Sequence, residues 1–314
     1  MPVPVISDVF GRFAHKPYKP EDIPSQDGKV FIVTGGHAGI GLETTRALVK
    51  AGATVYMASR TKSKVDDAIK ELGPDGDKVK FVELDLMSIK SAQKAAASFR
   101  DQSQRLDCII ANAGIMATPY QLTDDGIESQ FQTNVIGHFA FIQGLIPTLQ
   151  STAKETGVNS RIVMLSSFAH NFASLIPKAH PDFSSLETAN RPFSVSGNWA
   201  RYAQSKVADA LLARKYNELE GITSCSVHPG FVASDLYKST YMRAFLATFI
   251  TLKEGAISSL YVATSPEIES RHLGGAYFVP FAKVKQPTKL ARDDKLRNQL
   301  WALCEQVVRD KGSQ

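Results

Sequence analysis

Val30-Phe31-Ile32-Val33-Thr34-Gly35-Gly36-His37-Ala38-Gly39-Ile40-Gly41 is an apolar run that breaks into a glycine-rich turn and then into a helical pattern. In the stretch that follows, Ile40, Thr44, Ala47, Leu48 and Ala51 fall on one helical face, and Gly52 supplies a stop. Strand, glycine turn and helix in that order give glycines a chemical meaning. The first makes a tight turn, backbone at Gly39 can approach a pyrophosphate, and Gly41 lets the helix pack closely on the strand. The free N–H groups and positive dipole end of the helix then face the phosphates.

The same alternation continues outward. Val30–Thr34, Thr54–Ala58, Lys78–Leu84, Leu106–Ala111, Arg161–Ser166, Ile222–Val227 and Gly275–Val279 read as strands with amphipathic stretches between them. Fully apolar strands that alternate with helices predict a parallel sheet covered on both faces, because each parallel connection requires a crossover. The expected fold is therefore α/β: a single Rossmann-type, doubly wound parallel sheet of about seven strands. Residues 1–28 carry five prolines and no sustained periodicity, so they are expected to form an extended leader, with 29–314 as a single domain.

With 314 residues, 43% hydrophobic and 21% charged, the chain has an ordinary globular composition. The net charge of +5 is scattered among acids, as in Arg292-Asp293-Asp294-Lys295, and forms no basic stripe, which argues against nucleic acid as a partner. Cys108, Cys225 and Cys304 lack metal-ligand spacing and read as reduced core thiols, so no metal site is expected and a cytoplasmic location is. Pro2 and Pro4 interrupt any secretory signal. The most apolar window, Tyr241 to Leu252, contains Arg243 and is too short to span a bilayer, so no transmembrane segment is expected. This window reads as an apolar lid, with peripheral membrane contact as the alternative.

The spacing Thr34-Gly35-x-x-x-Gly39-Ile40-Gly41 resembles the short-chain dehydrogenase/reductase family, whose further motifs follow in order. They are Asp85-Leu86, Asn112-Ala113-Gly114, Asn134, Ser166-Ser167, Tyr202-x-x-x-Lys206 and Pro229-Gly230. The resemblance covers nearly the whole chain from Lys29 onward. It implies that Asp85 and Leu86 contact the adenine and that the Asn112–Gly114 turn supports the adenosine ribose. It also implies that the Val232 backbone and the Ser234 hydroxyl meet the carboxamide. Gly35, His37, Gly39, Ile40, Gly41, Pro229 and Gly230 complete the expected cofactor set. At the end of the second strand, where an acid would select an unphosphorylated ribose, stand Ser59-Arg60, with Lys64 one turn on; NADP(H) is therefore the expected cofactor.

A free tyrosine titrates near 10, and a lysine four residues later on the same helical face stabilises its phenolate. Tyr202 is thus the expected general acid/base for a carbonyl or alcohol, and Lys206 by resemblance also holds the nicotinamide ribose. Ser167 is the expected donor to the developing alkoxide, with Ser166 as packing. Asn134 resembles the family's helix asparagine, which holds a water linking the lysine to solvent. The chain from Ser167 to Tyr202 is longer than in the family's simplest members, and an insertion at about 168–200 is expected to loop over the site. His170, Asn171, Phe172, Phe183, Phe193 and Trp199 would form an aromatic rim, and a lid is expected at about 235–252, with Tyr237, Tyr241, Phe245 and Phe249.

Together these features imply an oxidoreductase for a lipophilic or polycyclic ketone, aldehyde or alcohol. Ser166 to His170, His228-Pro229-Gly230 and Leu300-Trp301 look retinol-dehydrogenase-like. A catalytically silent NADP(H)-binding regulator is the alternative, although its expected signature is loss of Tyr202 or Lys206. By resemblance, the helices near Asn134 and Tyr202 imply a homodimer, which the leader or the C-terminal helix would block.

Overall fold

Within the sheet, side chains of one strand part to opposite faces, and both faces are buried. Phe31 and Val33 of β1 (Val30–Thr34) belong to one apolar cluster and Ile32 to the other. This explains the continuous apolar reading of the strands. The computed structural model describes residues 18–176, 180–194, 196–232 and 250–312. Ser234 and all but the last residues of the expected lid lie outside these, as do residues 1–17 of the leader and Tyr237, Tyr241, Phe245 and Phe249.

The remaining strands are β2 (Thr54–Ser59), β3 (Val79–Glu83), β4 (Cys108–Ala111), β5 (Ser160–Leu165), β6 (Ile222–Val227), β7 (Tyr277–Val279) and β8 (Lys283–Lys285). They form one sheet in the order β3-β2-β1-β4-β5-β6-β7-β8. All neighbours are parallel except β7 and β8. The order runs backward from β1 to β3 and forward from β1 to β4, so a crevice opens above the carboxyl ends of β1 and β4, the usual ligand position in such sheets.

Helices α1 (Gly39–Lys50) and α2 (Lys62–Leu72) cover one face. Helix α3 (Ile89–Gln102) covers the other, together with α4, which runs from Ser129 to Gln143 with a π-helical turn at Gln132–Ile136. Helix α5 (Ile146–Thr156) follows, then α6 (Gly197–Tyr216), α7 (Leu252–Thr264) against α1, and α8 (Asp294–Gly312). Helix α8 packs on α6 and α3, where the Trp301 ring stands edge-on to Phe139 (5.0 Å) and Tyr216 (5.2 Å).

The expected seventh strand is joined by an eighth. Its sequence, Lys283-Val284-Lys285, has one apolar side chain, exposed, as suits a charged sheet edge. The hairpin turn puts Phe281 and Ala282 at positive φ, 63° and 60°, where sequence rules look for Gly or Asn. Ser258 holds that turn: its hydroxyl donates to Val279 O (2.9 Å) and accepts from Ala282 N (3.2 Å). The three cysteines are free and buried, and burial pushes the Cys108 and Cys225 thiols up to about 12. From the leader, Tyr18 anchors the chain on α7, its hydroxyl 2.9 Å from Thr264 Oγ1 and its ring edge-on to Tyr261.

The carboxyl edge is tied by one hydroxyl. Thr34 Oγ1 accepts the amide protons of Asn112 and Ala113, each at 2.9 Å, and lies 2.9 Å from His138 Nε2. With both acceptor positions taken, the hydroxyl proton goes to Nε2, so His138 carries its own proton on Nδ1 and donates it to Asn134 O at 3.1 Å. Burial holds the ring neutral, its pKa lowered from 6.5 to about 4. Because this value is depressed on folding, the stability it supports is present above pH 6.5 and is lost as the pH falls toward 4. Replacing His138→Asn should therefore cost less at pH 5 than at pH 7. The gap in unfolding free energy between wild type and variant should shrink by roughly 2 kcal/mol, read from urea titrations at each pH. A gap independent of pH would refute it.

Candidate functional site

Helix α1 starts without a side-chain cap. Its N-cap is Ala38, which has no side chain to offer, whereas Ser88 caps α3 and Thr251 caps α7 through their hydroxyls. The first-turn N–H groups of α1 are thus left for a ligand. Gly39 sits at φ +57°, and a Cβ on Gly41 would collide with the Gly35 carbonyl and lie 2.6 Å from Asn112 Nδ2. Asn112 turns inward, donating through Nδ2 to Thr34 O (2.9 Å), so it clamps the loop from beneath.

A cleft of about 330 Å³ runs along this edge. It is lined by Gly35, His37, Gly39, Ile40 and Gly41 at one wall, Arg60, Asp85 and Leu86 at one end, Asn112, Ala113 and Gly114 on its floor, and Tyr202, Lys206 and Pro229 at the other end. The fit to a dinucleotide is good. The uncapped helix faces where a pyrophosphate would lie, the backbone is glycine-bare at the close approach, and the lining runs from Arg60 and Asp85 to Tyr202 and Lys206. Asp85 folds back on its own loop through Oδ1, which accepts from Met87 N at 2.9 Å.

Beyond Arg60 the cleft opens into a second recess shared by His37, Arg60 and Lys64, with Asp67 and Glu71 on its far side. Burial lowers the His37 pKa, and the Lys64 and Arg60 charges lower it further, so a neutral imidazole shares this recess with two cations. Two cations beside a neutral ring suit a doubly charged anion.

At the other end, Lys206 lies one turn beyond Tyr202 on α6, with Nζ 5.6 Å from the phenol ring centre. Burial pushes the lysine down, but the nearby Asp209 carboxylate and Tyr202 outweigh it, and the ammonium is held above its ordinary value. Ser166 and Ser167 part company at the end of β5. Ser166 Oγ donates to Lys206 O (2.7 Å), which pins α6 to the sheet, and the residue also lines the cleft. Ser167 caps the short turn Phe168–Asn171 by accepting from Ala169 N (3.1 Å), which leaves its hydroxyl proton available. The Ser167 carbonyl accepts from buried His170 Nδ1 at 2.6 Å, and His170 Nε2 accepts from Thr288 N at 3.3 Å.

Asn134 does not line the cleft. Its Nδ2 donates to Ile115 O (3.0 Å) and to Ser205 Oγ (2.9 Å), and its Oδ1 accepts from Ile115 N (2.9 Å). It thus fastens the segment after Gly114 to α6, from a π-helical turn of the kind often found at functional sites. Val232 is buried and bridges to Ile250, close to where Gly230 turns at φ +97°.

The expected aromatic rim is partly overturned. Phe183 is core, 1% exposed and stacked on Phe131 at 5.8 Å, and His170 is buried against Tyr277. Asn171 bonds back to Phe168 O, and Phe193 lies beneath Arg191. Phe172 and Trp199 do face the site, packing with Met116, Ala169 and Tyr202. The described part of the insertion does not simply loop out, because a buried ion pair docks it. Arg201 Nε lies 3.0 Å from Glu128 Oε1, and the same guanidinium donates to Pro192 O and Thr118 O. Sequence reasoning missed Arg201, Glu128, His138 and Asp209. For His138 and Asp209 the available signal was their helical offset, four from Asn134 and three from Lys206.

Comparison with known proteins agrees with the geometry. The sequence model for short chain dehydrogenase matches residues 29–175. The chain is 38% identical to "Short-chain dehydrogenase/reductase drtF" of Aspergillus calidoustus, over 94% of this chain and 98% of that one. It is 36% identical to "Short-chain dehydrogenase TIC 32 A, chloroplastic" of Brassica napus, over 88% of each. Among solved structures, an uncharacterized protein from Mycobacterium paratuberculosis superposes with a TM-score of 0.71 at 30% identity, covering 94% of this chain and 98% of that one. The Pseudomonas aeruginosa RhlG/NADP active-site complex shares the fold, with a TM-score of 0.63 at 24% identity over 84% of this chain and 96% of that one. On the glycine loop, the cleft that ends at Tyr202 and Lys206, and these relatives, the chain belongs to the short-chain dehydrogenase/reductase family.

Proposed function

We propose that the chain is an NADP(H)-dependent ketoreductase or alcohol dehydrogenase acting on a lipophilic or polycyclic ketone, aldehyde or alcohol. The observation that carries this reading is the placement of the Tyr202–Lys206 pair in the same cleft as the uncapped start of α1. NADP(H), when bound, supplies or accepts the hydride. In reduction, the Tyr202 hydroxyl gives its proton to the carbonyl oxygen, the Lys206 ammonium offsets the phenolate that remains, and the Ser167 hydroxyl donates to the oxygen as it gains charge. Oxidation runs the same proton back to Tyr202.

Gly35, His37, Gly39, Ile40 and Gly41 would hold the pyrophosphate. Asp85, Leu86 and Asn112–Gly114 would hold the adenosine, and Lys206, Pro229, Gly230, Val232 and Ser234 the nicotinamide end. Arg60, Lys64 and His37 favour the phosphorylated cofactor, and the RhlG structure of the same fold is an NADP complex. The apolar group Met116, Ala169, Phe172 and Trp199 beside Tyr202 favours a lipophilic substrate, and the retinol-dehydrogenase-like motifs agree with it.

We read residues 29–314 as one unit, with the insertion at about 168–200 and the lid at about 235–252 serving substrate. No helix among the described residues is long and apolar enough to cross a membrane. The three buried free thiols support a reducing compartment such as the cytoplasm. A silent regulatory role is disfavoured because both Tyr202 and Lys206 are present and line the cleft. Helix α8 packs on α6, which supports reading that helix face as covered by the chain itself. Light scattering should then give a monomer, and a dimer mass would overturn that reading.

Two activity measurements test the reading. Tyr202→Phe should lower kcat with NADPH across a panel of apolar ketones by about 10²-fold or more, and an unchanged rate would end the catalytic assignment. Arg60→Glu should reverse the cofactor preference, cutting kcat/KM for NADPH by about tenfold or more while sparing NADH. An equal effect on both cofactors would remove Arg60 from 2′-phosphate selection.

A further inference from the structure

We propose that Asp209 is the counter-ion that keeps the buried Lys206 ammonium charged and aimed, and is thereby a positioning residue for the Tyr202–Lys206 pair. The inference rests on the reading of that pair as the proton-transfer machinery.

Asp209 is three residues beyond Lys206 on α6, hence on the same helical face, and its Oδ2 lies 2.8 Å from Lys206 Nζ. Their side chains are 7% and 3% exposed. The ammonium also donates to Leu165 O at 2.8 Å, at the end of β5. Of three N–H donors, two are therefore fixed from below and the third is left for the cleft that Lys206 lines. A lysine this deeply buried would shed its proton without a counter-charge.

Among the described residues, Lys206 is the cation that meets Asp209. The groups acting on Lys206 are Asp209 and Tyr202 from its own helix, and His138 faces it from α4 as a neutral ring. Burial raises the Asp209 carboxyl to about 6 against the pull of Lys206, so the pair is charged at neutral pH. The second oxygen, Oδ1, is buried without a hydrogen-bond partner. An orphaned carboxylate oxygen in the core is costly, and a neutral residue would avoid the cost. What Asp209 supplies in return is the negative charge at Nζ.

The test uses the cofactor-free full chain. The ¹⁵Nζ resonance of Lys206, assigned by its loss in Lys206→Arg, should keep its ammonium shift in wild type past the ordinary lysine value of about 10.4 and change to the amine shift at least about one unit lower in Asp209→Asn, a tenfold shift in its proton affinity. Rates should follow. For alcohol oxidation the ascending limb of kcat/KM should move to higher pH, with a loss of about tenfold at neutral pH, and Asp209→Asn should add nothing in a Lys206→Arg background. An unshifted resonance and pH profile in Asp209→Asn would overturn the proposal. Asp209→Ser, small enough to admit a water, serves if the asparagine variant does not fold; failure of both would assign Asp209 to core stability alone and overturn it as well. If Tyr202→Phe were fully active, the catalytic reading would fail while the resonance shift could still be found. If Tyr202→Phe were inactive and the resonance unmoved, only the role of Asp209 would fail.

Discussion

The Thr34 hydroxyl binds three elements that have no sequence proximity. It takes two amide protons from the turn after β4 and gives its own to His138 on α4, while the Thr34 carbonyl takes the Asn112 side-chain amide. Parallel strands end with unpaired backbone groups at their carboxyl edge, and here those groups are satisfied by the Thr34 and Asn112 side chains rather than by solvent. The glycine loop leaves β1 at Thr34, so its path is fixed relative to the floor of the cleft. His138 passes the constraint to Asn134 O, and the Asn134 side chain carries it to Ile115 and to Ser205 on the Tyr202 helix. Phosphate loop, cleft floor and proton-transfer pair are thus held in one hydrogen-bonded frame.

The branch of this frame to His138 leaves from the π-helical turn at Gln132–Ile136, where the winding departs from a regular helix and the Asn134 carbonyl accepts from the His138 ring. Sequence periodicity carries no sign of that change, because Gln132, Thr133, Asn134, Val135 and Ile136 are all buried whatever the winding. The asparagine was legible through its place in the family's motif order. Its task, bonding both backbone groups of Ile115, was not, since that depends on where a loop from β4 passes.

The same distinction separates the rest of the fold. Strands β1, β2, β4, β5 and β6 were legible because burial on both faces leaves continuous apolar runs such as Phe31 to Val33. Strand β8 was not, because an edge strand needs little apolar character and its turn is held by Ser258 on a remote helix. Ser166 and Ser167 could be told apart only by family habit, and the geometry gives each its physical reason: one hydroxyl is spent on Lys206 O, the other retains its proton. In the insertion, Phe183 has the composition of a substrate contact and the position of a core residue, because Arg201 and Glu128 draw its neighbours onto the segment before α4. Long-range ion pairs of that kind leave no periodic trace.

Charge in the cleft is arranged asymmetrically, and the asymmetry follows from burial. At the Arg60 end two cations, Arg60 and Lys64, share a solvent-open recess with the neutral His37 ring, where water screens their mutual repulsion and an arriving anion relieves it. At the Tyr202 end the single cation is out of water, so it can persist only beside a fixed anion. A surface lysine would be screened and held loosely, with a weak effect on a neighbouring phenol. Lys206 acts over a short, dry distance from a place where two acceptors hold it. The cost is a carboxylate buried with one oxygen unsatisfied among the described residues, and that cost falls on α6, a helix pinned by Ser166 and Asn134 at its inner face and by α8 behind.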